Sequence, residues 1–211
     1  AAAEKTGEAR QGIDKVAGWF APDHPYSQVL QELRETHGPR AYPGSPLLAA
    51  KLLRPDDRIH LAELHPQEHS ALDLAMSPYP VKCHLSDGFE MAFALTPPTP
   101  RRGMLLIDPS YEIKTDYETI PRQIAKLNRA WNVGIIALWY PILTNRAHIP
   151  MLDTLTANHP DALRHEVRFP PARPGHGMVG SGMFVINPPY GLATEAQNLT
   201  ARFATLTQQE R

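Results

Sequence analysis

The feature that most constrains the fold is an alternation, from Arg58 onward, of short apolar runs with stretches whose apolar residues recur at helical spacing. Strands that alternate with helices favour a mainly parallel sheet covered by helices on both faces. The sequence therefore predicts an α/β fold. The predicted strands are RIHLAEL, VKCHL, GMLLID, VGIIALWY, LRHEVRF and SGMFVIN, and the predicted helices are Pro66–Met76, Gly88–Leu95, Asp116–Ala130, Thr144–Ala157 and Leu192–Leu206.

The residues before Arg58 have a helical pattern. A first helix is predicted over 1–20, where Ile13, Val16, Ala17 and Phe20 recur at helical spacing, and a second over Tyr26–Thr36. A third, short helix contains LLAAKLL, with Ser45 as its N-cap and Pro46 at its first position. We predict a small helical insert over 1–40 and an α/β domain over 41–211.

The charge and the cysteine content of the chain bear on its binding partners and on its cellular compartment. The formal net charge is -1, so the composition gives no argument for a dedicated nucleic-acid binder, although one local basic patch remains compatible with it. Cys83 is the single cysteine, which rules out an internal disulfide and favours a cytosolic protein. No apolar run reaches membrane length, and the histidines do not form a metal-binding motif, so neither a membrane nor a metal is expected. The sequence leaves the oligomeric state open, with a monomer favoured.

Acidic residues follow three successive predicted strands. These are Glu63 in AELHP, Asp87 beside Gly88 in SDGF, and Asp108 in DPSY. Ligands of open α/β sheets bind beyond the carboxyl ends of the strands, where these acids are expected to lie. A single acid there is more often a helix cap. Three in a row favour a binding site.

Each acid has a chemical role that its position suggests. Glu63 is suited to accept hydrogen bonds from ribose hydroxyls, and Asp87 from an exocyclic amino group of adenine. The Asp108 carboxylate and the Pro109 carbonyl are two acceptors at a rigid corner, which suits an –NH2 group. Tyr111 is placed to stack on the base that carries this amino group.

Several motifs together resemble the RlmJ-type bacterial 23S rRNA adenine-N6 methyltransferases, a family also described as involved in the use of external DNA. The motifs are YPGSP, AELHP, SDGF, RRGMLLIDPSYEIKTDY, ALWYP and GMFVINPP, in this order. The resemblance implies a class I S-adenosylmethionine-dependent, Rossmann-like fold and methyl transfer to an adenine amino nitrogen of 23S rRNA. It also implies that Asp108, Pro109 and Tyr111 are catalytic, and that the cofactor is contacted by Ser45, Glu63, Asp87 and Gly88.

The chain departs from the family pattern in two places. Ser110 replaces the second proline of Asp-Pro-Pro-Tyr, and we expect a looser corner rather than lost chemistry, because serine does not fix φ. The family's first part, with His-Ala-Gly-Asn and Asp-Thr-His-Ala-Gly-Ala-Gly segments, precedes the position matched by Ala1. We therefore favour a fragment of a longer protein. The alternatives are a non-catalytic nucleic-acid-binding remnant and a protein linked to the use of external DNA.

Other residues carry weaker signals. Lys114 is a candidate for a phosphate of the target nucleotide, assisted by Arg101 and Arg102, although basic residues beside strands are usually only solvated. Trp139 and Tyr140 either form a wall of the base pocket or pack in the core. Asn187–Tyr190 (NPPY) matches the amino-methyltransferase pattern better than DPSY does when taken alone. Its place after the last strand favours Asp108 instead, and Asn187 is then expected only to end a strand.

Overall fold

A computed structural model of the chain describes residues 16, 18–111, 113, 115–169, 175 and 177–208. The chain divides into two compact units, Ala1–Met91 and Ala92–Arg211. Most of the helix predicted over 1–20 lies outside the described residues, as does Lys114. Within the described residues, no helix is both long and apolar enough to cross a membrane.

The first unit contains a two-stranded parallel sheet and mainly helices around it. Strands β1 and β2 pair in parallel, with Ile59 opposite Val81 and Glu63 opposite Leu85. Two helices precede the sheet, and a third connects its strands. In chain order the elements are α1 (Pro25–His37), α2 (Ser45–Leu52), β1 (Ile59–Glu63), α3 (Pro66–Met76) and β2 (Val81–Leu85), followed by α4 (Gly88–Leu95), which crosses the boundary between the units.

The second unit is built on a four-stranded sheet in the order β3-β4-β6-β5. Strands β3 and β4 are parallel, whereas β6 is antiparallel to both of its neighbours. In chain order the elements are β3 (Met104–Ile107), α5 (Asp116–Ala130), β4 (Ile135–Leu143), α6 (Ile149–Asn158), β5 (Leu163–Arg168), β6 (Met178–Ile186) and α7 (Leu192–Gln208).

The predicted α/β alternation is confirmed, and β6 is the described strand of the second sheet that departs from the predicted parallel arrangement, because β3, β4 and β5 all run in one direction. The described residues form two sheets, and two of the four strand pairs are antiparallel. Antiparallel pairing follows from the connection between β5 and β6. Nine residues, 169–177, join the two strands, and a parallel crossover needs a dozen or more, so β6 returns beside β5 in the opposite direction.

The core of the second unit is formed by one face of α5, by α6 and by the centre of the sheet. Helix α5 presents Ile120, Ile124 and Leu127, which are four and three residues apart and almost fully buried. This spacing places all three on the face that packs toward the core. Helix α6 and strands β4 and β6 contribute further buried residues: Met151, Leu152, Leu155, Ile136, Leu138, Tyr140, Ile142 and Phe184. Together these elements enclose the middle of β4.

Several element boundaries differ from the prediction by one to five residues, and two of these differences concern the starts of α2 and α6. The N-cap of α2 is Gly44, whose carbonyl accepts the amide hydrogen of Leu48, so the prediction that Ser45 is the N-cap was wrong by one residue. Helix α6 begins at Ile149 rather than at Thr144, because β4 continues through Leu143 and a turn separates the two elements.

Candidate active site

The Asp-Pro corner follows β3 at the carboxyl edge of the second sheet. Ile107, the last residue of β3, is opposite Leu138 of β4, so Asp108 follows where this parallel pair ends. Asp108 is exposed at the surface, yet partial removal of water by the surrounding protein raises the pKa of its carboxyl group. The site therefore holds a carboxylate that takes up a proton more readily than a fully solvated aspartate does.

Tyr111 is held beside this corner by two contacts. Its hydroxyl donates a hydrogen bond of 2.7 Å to the backbone carbonyl of Trp139, and its ring stacks on Tyr117 at 4.9 Å between centroids. Burial raises the pKa of Tyr111 above its ordinary value, so the hydroxyl stays protonated and acts as a donor. The backbone of Tyr111 has a φ of 55°, a left-handed conformation that costs a non-glycine residue free energy. The two contacts stabilise this conformation.

The sequence left open whether Trp139 and Tyr140 border the base pocket or pack in the core, and the structure separates the two residues. Trp139 is half-buried, and its ring lies 6.2 Å from that of Tyr111. Tyr140 is fully buried and donates a hydrogen bond of 3.0 Å to Glu166 Oε1. Trp139 therefore borders the candidate site, whereas Tyr140 belongs to the core.

The sequence did not predict that the carboxylate of Glu166 is the hydrogen-bond partner of Tyr140. Glu166 of β5 accepts hydrogen bonds from Tyr140 and, at 2.8 Å, from Arg164 Nε. Burial alone would raise the pKa of Glu166, but the hydrogen bonds from Arg164 and Tyr140 outweigh it and lower the pKa. No signal in LRHEVRF identifies this role, because the partner hydroxyl is on another strand.

The two acids of the first unit lie at one edge of the two-stranded sheet. Glu63 ends β1 opposite Leu85, and Asp87 lies two residues beyond Leu85. Glu63 Oε1 accepts the amide hydrogen of His65, and Asp87 Oδ1 accepts those of Phe89 and Glu90 at the start of α4. Both acids thus support the following helix, and in each the second carboxylate oxygen has no hydrogen bond from a described residue. That oxygen remains for a ligand.

Gly88 and Ser45 are the other candidates of the first unit. A Cβ atom added at Gly88 would meet no atom within 4 Å, so the space at this position is open. Ser45 is the exposed first residue of α2 and does not cap the helix with its side chain. Both positions are exposed, and the predicted cofactor contacts of Ser45 and Gly88 stay predictions.

The rival NPPY corner lies at the opposite edge of the second sheet from Asp108. Strand β6 is antiparallel to β4, and its last residue, Ile186, is opposite Ile136 near the start of β4. Asn187 donates hydrogen bonds to the carbonyls of Asn132 and Gly134 at 2.9 and 2.8 Å. Its amide group is thus occupied in fixing the end of a strand, the role expected if Asp108 provides the corner of the active site.

Three further predictions concern binding groups. Arg101 and Arg102 precede β3 and therefore lie at the end of this strand away from Asp108, which argues against the predicted phosphate role beside the target base. Lys114 is outside the described residues, so its predicted role stays a prediction. Among the described residues, no group of three or more His, Cys, Asp or Glu side chains is arranged to hold a metal ion.

An α/β chain with an Asp-Pro corner after one parallel strand and acids after two others has the class I methyltransferase-like fold. A family model described as "Ribosomal RNA large subunit methyltransferase D, RlmJ" matches residues 1–210. The chain therefore belongs to the RlmJ family of ribosomal RNA large subunit methyltransferases.

Individual relatives agree with this assignment. Ribosomal RNA large subunit methyltransferase J of Escherichia coli (strain K12) is 37% identical over 204 residues, which cover 93% of this chain and 72% of that protein. The Haemophilus influenzae protein of the same name is 36% identical over 206 residues, with the same two shares. The crystal structure of protein LPL1258 from Legionella pneumophila str. Philadelphia 1, placed in family DUF519, is 30% identical with a TM-score of 0.84. It covers 97% of this chain and 78% of that one.

Proposed function

We propose that the protein transfers a methyl group from S-adenosylmethionine to the N6 amino group of an adenine in 23S rRNA. The names of the E. coli and H. influenzae relatives support a ribosomal RNA substrate. The observation that carries the choice of an amino group is the corner after β3. There Asp108 and Pro109 offer two oxygen acceptors beside an aromatic ring held by Trp139 and Tyr117.

The adenine side of the reaction depends on residues of the second unit. The two amino hydrogens are held by the Asp108 carboxylate and the Pro109 carbonyl, so the nitrogen lone pair turns away from both. Stacking on Tyr111 fixes the plane of the base. Because the methyl donor is already activated, this orientation supplies most of the acceleration.

The cofactor side depends on residues of the first unit. We assign Glu63 to the ribose hydroxyls, Asp87 to the adenine amino group, and Gly88 and Ser45 to contacts with the remaining parts of the cofactor. S-adenosylmethionine supplies a methyl group on a positively charged sulfur. The free carboxylate oxygens of Glu63 and Asp87 support this assignment, since each can accept a hydrogen bond without giving up its helix contact.

The raised pKa of Asp108 has a role in this reaction. Once the amino nitrogen has gained a methyl group, it carries a positive charge and must lose a proton. A carboxylate whose pKa is raised by burial accepts that proton more readily than an ordinary aspartate. We therefore assign to Asp108 both the orientation of the amino group and the removal of its proton.

A methyl-transfer assay tests this function. Unmodified 23S rRNA is incubated with isotopically labelled S-adenosylmethionine and the protein, and incorporation into the RNA is counted. Asp108→Ala is expected to lose incorporation while still unfolding cooperatively as a folded chain. Asp153→Ala, which removes an exposed aspartate of α6, is the matched control and keeps activity. Normal incorporation by Asp108→Ala would refute the catalytic assignment.

Calorimetric titration with S-adenosylhomocysteine tests the cofactor separately. We expect saturable one-to-one binding that is lost in Glu63→Ala and kept in Glu68→Ala, which removes an exposed acid from the first turn of α3. A folded wild-type chain that binds rRNA but not S-adenosylhomocysteine would instead indicate a non-catalytic RNA-binding protein.

A further inference from the structure

The NPPY corner, Asn187–Tyr190, takes no part in the proposed reaction. It lies at the amino edge of the second sheet, where the chain also passes through the segment before β3 and the turn 131–134 before β4. We call the exposed residues Arg101, Arg102, Lys126, Arg129 and Tyr190 the amino-edge patch.

Hydrogen bonds tie the three segments of this edge together. The side chain of Asn187 donates to the carbonyls of Asn132 and Gly134, and Trp131 Nε1 donates to the Arg101 carbonyl at 2.7 Å. The Arg101 guanidinium in turn donates to the side chain of Asn132 at 3.3 Å. The backbone around the patch is therefore fixed.

Basic residues outnumber acidic ones at this edge. The segments 96–107, 119–137 and 181–194 contain no Asp or Glu, whereas the whole chain has a formal net charge of -1. Two acids lie beside the NPPY corner: the exposed Asp161, two residues before Leu163, which pairs with Val185 of β6, and Glu195, in the first turn of α7. The basic residues of the three segments are Arg101, Arg102, Arg122, Lys126 and Arg129.

An aromatic side chain accompanies these charges. Tyr190 has a relative exposure of 107%, so its whole ring is in solvent, and Val133 nearby in the 131–134 turn is 55% exposed. The corner that carries Tyr190 has left-handed backbone at both of its ends, with φ of 53° at Asn187 and 86° at Gly191. Asn132 receives hydrogen bonds from both Asn187 of this corner and Arg101, so the exposed ring and exposed basic side chains belong to one connected edge. An exposed ring and basic side chains on a fixed edge are a combination that binds nucleotides.

We propose that the amino-edge patch is a second RNA-contact surface, on which Tyr190 stacks with an unpaired base and the basic side chains contact phosphates. The proposal rests on the proposed function, because it takes the RNA substrate as the partner. Strand β3, which separates the patch from Asp108, has four residues and spans roughly 10 Å, so one folded RNA can contact both edges.

Binding of 23S rRNA, measured by filter retention at several salt concentrations, tests the phosphate contacts. Arg102→Gln/Arg129→Gln removes two side chains that have no hydrogen bond or ion pair with a described residue. Each phosphate contact contributes about 0.7–0.9 to the slope of log affinity against log salt, so we expect the slope to fall by about 1.4–1.8. The control Arg40→Gln/Arg58→Gln removes the same charge from exposed positions of the first unit and keeps the slope.

The stacking contact is tested in the same assay. Tyr190→Ala is expected to weaken RNA binding roughly 5- to 150-fold, and Tyr190→Phe, which keeps the ring, to bind as the wild type does. The turnover rate at saturating RNA should stay unchanged in both, because Tyr190 is away from Asp108.

The outcomes separate this inference from the proposed function. An unchanged salt slope in Arg102→Gln/Arg129→Gln, or an equal drop in the control pair, would overturn the patch even if the wild type methylates RNA. Wild-type RNA binding that depends on the patch without any methyl transfer would support the patch and refute the proposed function.

Discussion

At the residue scale, the hydroxyl groups of two tyrosines in the candidate site are expected to affect stability differently. The hydroxyl of Tyr111 has the Trp139 carbonyl as its acceptor, whereas the hydroxyl of Tyr117 is buried without a partner among the described residues. The rings of the two residues stack on each other. The same substitution at the two positions should therefore change stability in opposite directions.

Tyr111→Phe removes the donor to the Trp139 carbonyl and should destabilise the fold by about 1–2 kcal/mol. Tyr117→Phe removes an unpaired buried hydroxyl and should be neutral or stabilising by up to about 1 kcal/mol. Urea unfolding of both variants gives the comparison, with each serving as the control of the other. Equal destabilisation by the two changes would show that the hydrogen bond to Trp139 does not hold Tyr111.

The anchoring of Tyr111 also bears on Ser110. A second proline would stiffen the corner by fixing φ, and serine does not. The hydrogen bond to Trp139 and the stack on Tyr117 restrain the next residue instead. We therefore expect Ser110→Pro to raise the transfer rate only modestly.

Asp108 should make stability depend on pH in a direction opposite to that of an ion-paired acid. Burial raises its pKa in the fold, so the native state holds the proton more tightly than the unfolded chain. Stability is therefore lost as the pH rises from the ordinary aspartate pKa through the raised one. Asp108→Asn should be inactive but more stable than the wild type at neutral pH. In urea unfolding this difference should shrink as the pH falls, and a constant difference would contradict it.

At the scale of elements, local signals in the sequence set most boundaries. Helices α3, α4 and α5 have the predicted bounds, because Pro66 marks the start of α3 and Asp87 caps α4. The end of β4 was not predictable in the same way. Proline lacks an amide hydrogen and usually ends a strand, so Pro141 predicts that β4 stops before it. However, the partner strand β3 ends beside Leu138, so beyond Leu138 the β3 side of β4 has no strand to bond with and a proline is tolerated there.

Strand β6 carries a glycine whose role is visible only in the folded sheet. A Cβ atom at Gly182 would lie 2.2 Å from the ring of Tyr140, which is the residue that donates to Glu166. Gly182→Ala should therefore destabilise the second unit by about 2–3 kcal/mol. Gly177→Ala is the matched control, since its Cβ would meet only Thr144 Oγ1 at 3.9 Å. Similar unfolding midpoints for the two variants would contradict this packing.

At the scale of the whole molecule, the sequence predicted the α/β class and the acids at the strand ends but not the pairing of the strands. Alternation of strands and helices does not distinguish a parallel from an antiparallel neighbour, so the direction of β6 appears only in the structure. The link between Glu166 and Tyr140 was missed for the same reason, because it joins two strands through their common neighbour β6.

The net charge of the whole chain does not show where acidic and basic residues lie in the fold. The formal value of -1 conceals an edge of the second sheet where three segments, 96–107, 119–137 and 181–194, carry basic residues and no acidic ones. The fold also distinguishes the two candidate corners by their positions. DPSY and NPPY look alike as sequences, but opposite strand directions place them at opposite edges of one sheet.

In the proposed reaction, the Asp108 carboxylate and the Pro109 carbonyl hold the amino group of an adenine. The most direct measurement is mass spectrometry of the nucleosides of 23S rRNA after reaction with the protein and labelled S-adenosylmethionine. We expect label in N6-methyladenosine after reaction with the wild-type protein and none in this nucleoside with Asp108→Ala. Label on a ring carbon, a ring nitrogen or a ribose oxygen would contradict it, because none of these positions offers the two hydrogens that the corner accepts.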